Sequence, residues 1–161
     1  MAQDMFIKID GIEGESLDAS HKNEIEVLNW SWESLQHSNM HAGSGGGAGK
    51  ATVSDFRFEH YLDKASTNLL SYCLSGKHIK EIKFVVRKAG GEPLEYLNIK
   101  FTDVIITQVG VSGCSNEDVR PRETVSFSFS GFTQDYVMQS AEGNKSGIIS
   151  ASYDIKANQR S

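Results

Sequence analysis

The chain has 161 residues, of which 39% are hydrophobic and 23% are charged. That length lets one domain bury roughly two-thirds of the surface that its unfolded chain exposes, so stability requires no disulfide or metal centre. A formal net charge of -5, with its lysines and arginines dispersed, excludes a dedicated nucleic-acid binder, which needs clustered cations to neutralise phosphates. No apolar run exceeds three residues, so the sequence predicts no transmembrane helix.

The start of the chain and its cysteines favour a protein made in the cytoplasm. Met1-Ala2-Gln3-Asp4 lacks the basic and apolar regions of a cleavable signal peptide. Cys73 and Cys114 form no CxxC motif and have no metal-ligand spacing to histidine. We therefore expect two reduced structural thiols and an exit from the cell, if there is one, by a route that reads no leader.

Period-two alternation of apolar and polar residues recurs along the chain and predicts a mainly β fold. The predicted strands lie at residues 5–10, 24–34, 55–62, 81–87, 94–109, 124–131 and 149–155. In the second of them the apolar face changes between Val27 and Leu28, as it does at a β-bulge. In the fifth, the run Val104-Ile105-Ile106 is apolar on both faces, so its second face must be covered.

One stretch has helical spacing instead. Between Asp63 and Ser75 the apolar residues recur at intervals of three and four, which predicts a single helix. Asp63 can cap its first turn, and Gly76 can adopt the left-handed conformation that ends it.

Two long connections interrupt the strands. The segment from Gln36 to Thr52 is glycine-rich, which predicts no regular structure and a connection too long for a hairpin turn. The segment from Ser112 to Pro121 is a second polar loop. Long loops in a compact domain are usually functional or mobile, so both are of interest.

The glycine-rich segment ends in Gly49-Lys50, which raises the possibility of a phosphate-binding P-loop. The motif needs a glycine where the chain has Ser44 and a serine or threonine where it has Ala51. It also needs a helix directly after the loop, whereas a strand is predicted there. We therefore expect no nucleotide cofactor.

No catalytic or metal site is predicted. His37 and His41 are four residues apart, but their glycine-rich surroundings disfavour the helix that would place them on one face. His60 lies among the apolar positions of its strand and is expected to be a satisfied or edge histidine. The carboxylates have no spacing that defines an acid–base pair, and the chain has no GxSxG motif for a nucleophilic hydrolase.

A face of small polar side chains remains. It comprises one side of the strand at 124–131 and the polar side of the tryptophan-bearing strand; its members are Thr124, Ser126, Ser128, Ser130, Asn29 and Ser31. Two interpretations stay open. It is either an ordinary solvated outer face or a smooth polar wall towards an enclosed channel or a neighbouring subunit.

The chain resembles the Hcp family, the haemolysin-coregulated proteins of the bacterial type VI secretion system. The resemblance covers nearly the whole length. The segments that carry it are Phe6-Ile7-Lys8-Ile9-Asp10-Gly11-Ile12, Gly14-Glu15-Ser16, His21 with residues 24–32, Gly45-Gly46-Gly47-Ala48-Gly49-Lys50, Ser54-Asp55-Phe56, Asp63-Lys64-Ala65-Ser66, Ser75-Gly76-Lys77-His78-Ile79, Arg87-Lys88-Ala89-Gly90-Gly91, Glu95-Tyr96-Leu97 and Glu123-Thr124-Val125.

The resemblance implies a closed β-barrel of two antiparallel sheets with one flanking helix and a long extended Gly-rich loop. It also implies that six copies form a ring and that rings stack into the hollow inner tube. The implied partners are a VgrG spike, contractile sheath and baseplate proteins, and effector proteins carried in the lumen before export. Such a protein has no enzymatic activity, metal or cofactor.

The resemblance also assigns roles to two sets of residues. The glycine-rich loop is similar to a loop that reaches a neighbouring ring, which makes stacking candidates of Gly45, Gly46, Gly47, Gly49 and Lys50. Opposite the tryptophans, the candidates for lining the lumen are Asn29, Ser31 and Glu33. Two other functions stay open on the sequence alone: a monomeric β-barrel that binds a small ligand, and an enzyme with a dispersed active site.

Overall fold

The computed structural model describes residues 2–41, 48–90, 92–116 and 120–159. These residues form ten strands and one helix. The elements in chain order are β1 Gln3–Ile9, β2 Ile25–Glu26, β3 Asn29–Ser31, β4 Ser34–Ser38, β5 Ala48–Val53, β6 Phe56–Tyr61, α1 Ala65–Ser75, β7 Ile79–Lys88, β8 Leu94–Ser112, β9 Arg122–Gln139 and β10 Lys145–Asp154. A mainly β chain with one helix in its described part agrees with the prediction.

Eight of the strands belong to a single curled sheet. Its order is β2-β1-β7-β8-β9-β6-β3, with β10 added on β9, and every pairing is antiparallel. β4 and β5 pair with each other as a separate two-stranded sheet. The strand pairing therefore does not show the predicted closed barrel of two sheets, since the main strands form one sheet and the second sheet is only a hairpin.

The two edges of the curled sheet are consecutive in the chain. The backbone N–H of Val27 donates to the carbonyl of Met5 in β1 at 2.9 Å, and that of Leu28 donates to the carbonyl of Glu59 in β6 at 2.8 Å. Two neighbouring residues thus bond to opposite edges of the sheet. The change of apolar face predicted at Val27 and Leu28 is confirmed, and this bond switch is its physical cause.

Aromatic rings fill the space inside the curl. Phe56 of β6 is fully buried, and its ring centroid lies 5.1 Å from that of Phe84 in β7, 5.1 Å from that of Phe101 in β8 and 5.2 Å from that of Phe127 in β9. β6 and β7 are separated in the sheet by two other strands, so the first of these contacts crosses the core. The walls of the curl are joined by interlocking rings at the distances that such pairs prefer.

Helix α1 begins and ends as the sequence predicts. A carboxylate oxygen of Asp63 accepts a hydrogen bond from the N–H of Ala65 at 2.9 Å, while the hydroxyl of Ser66 accepts one from the N–H of Asp63 at 3.1 Å. Gly76 has a φ of +67°, and its N–H donates to the carbonyl of Tyr72 at 3.0 Å. Leu69, which is fully buried, attaches the helix to the core.

Strand β9 is longer than the sequence predicts. Gly131, where the predicted strand ends, lies inside β9 and pairs with Thr102 of β8 and Asp154 of β10. A Cβ at that position would lie 3.1 Å from the Thr102 hydroxyl and 3.3 Å from the Tyr153 carbonyl. This glycine is therefore a point of close packing between strands and not a stop, a difference that only the neighbouring strands reveal.

Candidate functional site

The segment 29–33, which contains β3 and both tryptophans, separates the core from an exposed polar face. Trp30 and Trp32 pack inwards, with Trp30 stacked on Phe56 at 5.7 Å and Trp32 edge-on to Phe132 at 4.8 Å. The residues that alternate with them, Asn29, Ser31 and Glu33, are exposed. The three lumen candidates therefore share one outward face, as their parity predicts.

The pairing register of the strands aligns this face with residues of three further strands, β6, β9 and β8. Asn29 and Ser31 of β3 pair with Glu59 and Arg57 of β6. Those two pair in turn with Thr124 and Ser126 of β9, and Ser126 pairs with Gln108 of β8. We call this surface the polar wall; its residues are Asn29, Ser31, Arg57, Glu59, Gln108, Thr124 and Ser126.

A groove runs along the polar wall. Its volume is about 730 Å³, and it is lined by Ser31, Trp32, Glu33, Ser54, Asp55, Arg57, Thr107, Gln108 and Ser126. Ser31 and Glu33 thus line it directly, whereas Asn29 lies outside it on the same wall. Arg57 and Gln108 were not predicted as members of this surface, because alternation shows that they face outward but not that β6 and β8 extend the wall from β3 and β9.

Short hydrogen bonds fix the polar groups of the groove. The indole N–H of Trp32 donates to the carbonyl of Ser54 at 3.1 Å, and the Ser54 hydroxyl accepts from the backbone N–H of Glu33 at 3.0 Å. The hydroxyl of Thr107 donates to a carboxylate oxygen of Asp55 at 2.6 Å. These bonds hold the bend between Ser31 and β4 against the start of β6.

The charges of the polar wall are partly paired. The Glu59 carboxylate accepts a hydrogen bond from Arg122 at 3.1 Å, which raises the pKa of that guanidinium. Arg57 has no ion-pair partner among the described residues. The wall is therefore hydroxyl-rich with one uncompensated cation, a surface suited to adaptable polar contacts.

The residues that line the groove include no histidine or cysteine. Within residues 2–41, 48–90, 92–116 and 120–159, no three His, Cys, Asp or Glu side chains come together as a metal site would require. His60 lies elsewhere, fully buried, with its Nε2 2.7 Å from a carboxylate oxygen of Glu123.

The structure of the glycine-rich segment differs from the prediction that it has no regular structure. Both of its arms are strands: Leu35 pairs with Thr52 and Gln36 with Ala51, with a register shift between Gln36 and Ser38. The prediction of no regular structure was wrong because glycine content reports local propensity, whereas two facing arms gain ladder hydrogen bonds from each other. We call this two-stranded element the hairpin.

Two of the five stacking candidates lie on the hairpin, and the other three lie outside the described residues. Gly49 and Lys50 lie on β5, and a Cβ on Gly49 would lie 3.3 Å from the Cβ of His37, so glycine permits the close approach of the two arms. Gly45, Gly46 and Gly47 lie outside the described residues. All of β4 is exposed.

Similarity to known proteins identifies the family of the chain. The model of the family "Type VI secretion system effector, Hcp" matches residues 6–136. The protein hcp1 of Pseudomonas aeruginosa strain PAO1 is 47% identical over 148 residues, which cover 91% of each chain. The chain belongs to the Hcp family.

Two solved structures extend the Hcp relationship to the fold. The crystal structure of Hcp1 from Salmonella typhimurium is 47% identical, covers 100% of both chains and has a TM-score of 0.81. The crystal structure of a type VI secretion system effector from Yersinia pestis is 60% identical, with a TM-score of 0.77 over 94% of this chain and 99% of that chain.

Membership of the Hcp family confirms the resemblance seen in the sequence. It places the chain in the type VI secretion system, in a family of structural proteins and not of enzymes. Of the helices in the described part of the chain, none combines the length and the apolar character that crossing a membrane requires.

Proposed function

We propose that six copies of this chain form a ring, and that rings stack into the hollow inner tube of a type VI secretion system. In such a subunit the curled sheet closes into a barrel through residues 25–31. The polar wall faces the lumen and holds effector proteins. The tube carries a VgrG spike at its tip, lies within a contractile sheath on a baseplate, and is exported from the cytoplasm by this system.

The observation that carries the proposal is the polar wall itself. It is a continuous four-strand surface of hydrogen-bonding side chains, and the residues that line its groove include no histidine or cysteine. A surface that must pass different cargo proteins needs weak, adaptable polar contacts more than a shaped apolar pocket. The proposed lumen-lining residues are Asn29 and Ser31 of this wall and the neighbouring Glu33.

The exposure of the hairpin supports the proposal that rings stack. Its two strands pair with each other and with no strand of the large sheet in the described chain, and the residues of β4 are exposed. An element that leaves the body of the domain in this way gains little from its own chain, so a neighbouring ring is the partner that would bury it. Residues 45–50 are the proposed contact.

The alternative of a monomeric barrel that binds a small ligand is disfavoured by the core. Ligand-binding barrels keep an internal cavity, whereas here the interior is filled by Phe56, Phe84, Phe101 and Phe127, which are all fully buried. The large groove lies outside the curl, on the polar wall.

Oligomeric mass and electron microscopy test the ring. Light scattering of the purified chain should give a mass near six times the chain mass of 17.7 kDa, and negative-stain micrographs should show annular particles. A strictly monomeric species at high protein concentration would exclude the proposal.

Shortening the hairpin tests stacking separately from ring formation. Deletion of residues 45–49 should leave the ring mass unchanged and reduce the number of stacked rings in micrographs. Deletion of residues 141–143, in the turn between β9 and β10, is the matched control. Equal tube formation by both deletion variants and the unaltered chain would remove the stacking role of the hairpin.

A further inference from the structure

Three lysines line up across neighbouring strands on the opposite side of the molecule. Lys8 of β1 is directly opposite Lys83 of β7, and Lys83 is directly opposite Lys100 of β8. Their chain neighbours point into the core, so all three side chains point outward. Lys83 and Lys100 have 57% and 51% of their side-chain surface exposed, and Lys8 is also exposed. We call this set the lysine row.

Like charges in this register oppose folding. Directly opposed residues on paired strands have Cβ atoms only about 5 Å apart, and like charges at that separation destabilise the pair. Glu81 offsets part of the repulsion, with its carboxylate 3.4 Å from the ammonium of Lys83 and 3.9 Å from that of Lys100. Lys8 and the adjacent Lys80 have no ion-pair partner among the described residues.

The row borders a concave surface. A depression of about 220 Å³ is lined by Lys8, Asp10, Lys80, Glu81 and Lys83. Further along the same face, Phe6 and Val85 are only 3% and 8% exposed. His21 stacks on Phe6 at a ring separation of 4.4 Å, so there the chain covers its own sheet. The lysine row is the part of this face that the described chain leaves open.

The lysine row and the polar wall point in opposite directions. The ring centroids of Phe84 in β7 and Phe56 in β6 are 5.1 Å apart across the core, so the inner faces of these two strands look at each other. Their outer faces, which carry Lys83 and Arg57, must then point away from each other. If the polar wall faces the lumen, a step that depends on the proposed function, the lysine row faces the outside of the tube.

We propose that the lysine row is a docking surface for another protein that presents a row of carboxylates. Lysine ammonium groups at a strand-to-strand spacing match Asp or Glu side chains on successive turns of a helix or on adjacent strands. Pairing with carboxylates removes the repulsion that the row carries in the free subunit. The contact is electrostatic and easily broken, which suits a partner that must release the surface.

Carboxylates on a protein explain the surface better than a phosphate polymer or a lipid surface. The chain has a net charge of -5, and Asp10 and Glu81 lie within the depression. A rigid phosphate duplex or a flat anionic bilayer would meet these acids as well as the lysines, because neither can adapt its charges to the surface. A protein can place carboxylates against the lysines alone.

Binding to poly-L-glutamate tests the proposal. The probe is fluorescein-labelled polymer, titrated with purified protein at low salt and followed by anisotropy. Three exposed ion pairs contribute together roughly a tenfold change in affinity, so the triple variant Lys8→Gln, Lys83→Gln, Lys100→Gln should bind about tenfold more weakly. The triple variant Lys22→Gln, Lys77→Gln, Lys145→Gln removes the same charge elsewhere and should bind as the unaltered chain does.

The outcomes separate this proposal from the ring proposal. The variant with glutamine at Lys8, Lys83 and Lys100 leaves the polar wall unaltered, so it should still form annular particles in micrographs. Equal weakening in both triple variants would overturn the docking surface, because net charge alone would then explain binding. Equally tight binding of duplex DNA or of vesicles with anionic phospholipid would overturn it too.

Discussion

The two outer walls of the curled sheet are both built from paired antiparallel strands, but they differ in how far their own chain covers them. On the wall of β1 and β7, the chain folds residues 12–24 back over the sheet: Arg87 donates to Asp18 at 2.6 and 3.1 Å, and Phe6 is stacked under His21. On the wall of β3, β6 and β9, Ser31 and its neighbours remain exposed. Residues 12–24 cover the first wall within the subunit except at the lysine row, whereas the second wall is left for contacts outside the subunit.

That difference separates stability from function within one domain. The covered wall uses charge pairs and a tight backbone contact to hold its own loop. The polar wall uses polar side chains that do not hold a loop of their own chain. Substitutions beneath the covering segment and in the shared core should therefore change stability, whereas those on the polar wall should change partners.

The largest effect is expected in the core that both walls share. Phe56→Ala removes a fully buried ring that contacts aromatic residues of β3, β7, β8 and β9. We expect a loss of about 4 kcal/mol in the free energy of unfolding, measured by urea denaturation. Phe56→Leu keeps most of the volume and should lose less than half as much. Equal losses would contradict this expectation, because the buried volume that leucine restores would then contribute nothing to stability.

A matched pair of glycines compares the walls directly. A Cβ on Gly14, in the covering segment, would lie 2.5 Å from the backbone oxygen of Glu24 and 2.8 Å from a side-chain carbon of Ile25. A Cβ on Gly110, in β8, would meet nothing within 4 Å. Gly14→Ala should lower the free energy of unfolding by roughly 2 kcal/mol, since the backbone has to move.

Gly110→Ala should change it by about 0.5 kcal/mol or less and in the stabilising direction, because alanine reduces the entropy of the unfolded chain. The same urea measurement serves both variants. The distinction between the walls fails if the Gly110 variant is the less stable of the two.

Acid should loosen the covered wall. The hydrogen bond from the Arg87 guanidinium holds the pKa of Asp18 well below its usual value. Because the folded-state pKa is depressed, the pair stabilises the fold fully above the ordinary aspartate pKa of about 3.9, and this stabilisation is lost as the pH falls from there towards the folded-state pKa. Thermal unfolding followed by circular dichroism at several pH values measures the loss.

The variant Asp18→Asn isolates this effect. It should have a lower Tm than the unaltered chain at neutral pH, and the difference should shrink as the pH falls below about 4. Asp103 also has a pKa well below its usual value, through hydrogen bonds from Ser130, His78 and Lys156, but it is present in both proteins and cancels in the difference. A difference in Tm that stays constant with pH would contradict the role of the Arg87–Asp18 pair.

The smallest effect on stability, and the largest on function, is expected on the polar wall. Ser31→Gln places a longer side chain in the groove without disturbing the core, so the Tm and the ring mass should not change. Retention of effector proteins, measured by co-purification, should fall. Ser112→Gln, an exposed serine at the end of β8, is the control. Unchanged retention in the Ser31 variant would remove this residue from the lumen.

Particular elements show where sequence reasoning succeeded. The switch at Val27 and Leu28 was visible because a strand that changes partners must also change the face that it buries. The helix ends were visible because Asp63 and Gly76 act through their own backbone neighbours. The outward face of Ser31 followed from the two tryptophans beside it. All of these depend on local geometry, which the order of residues carries directly.

Other elements depended on residues far apart in the chain. The hairpin arms at Leu35 and Thr52 pair although the glycines between them predicted irregular structure. The alternation predicts that a strand ends at Gly131, but pairing with β8 and β10 continues β9 beyond it. The groove needed Arg57 and Gln108, whose outward direction was evident but whose neighbours were not.

By itself, the sequence determined which side chains face inward, where the single described helix begins and ends, and to which family the chain is similar. Tertiary structure decided which outward faces meet. Alternation has a period of two within one strand and contains no information on the order of strands in a sheet. Only the register of β1, β7 and β8 brings Lys8, Lys83 and Lys100 into one row, and only the curl of the sheet sets that row opposite the polar wall.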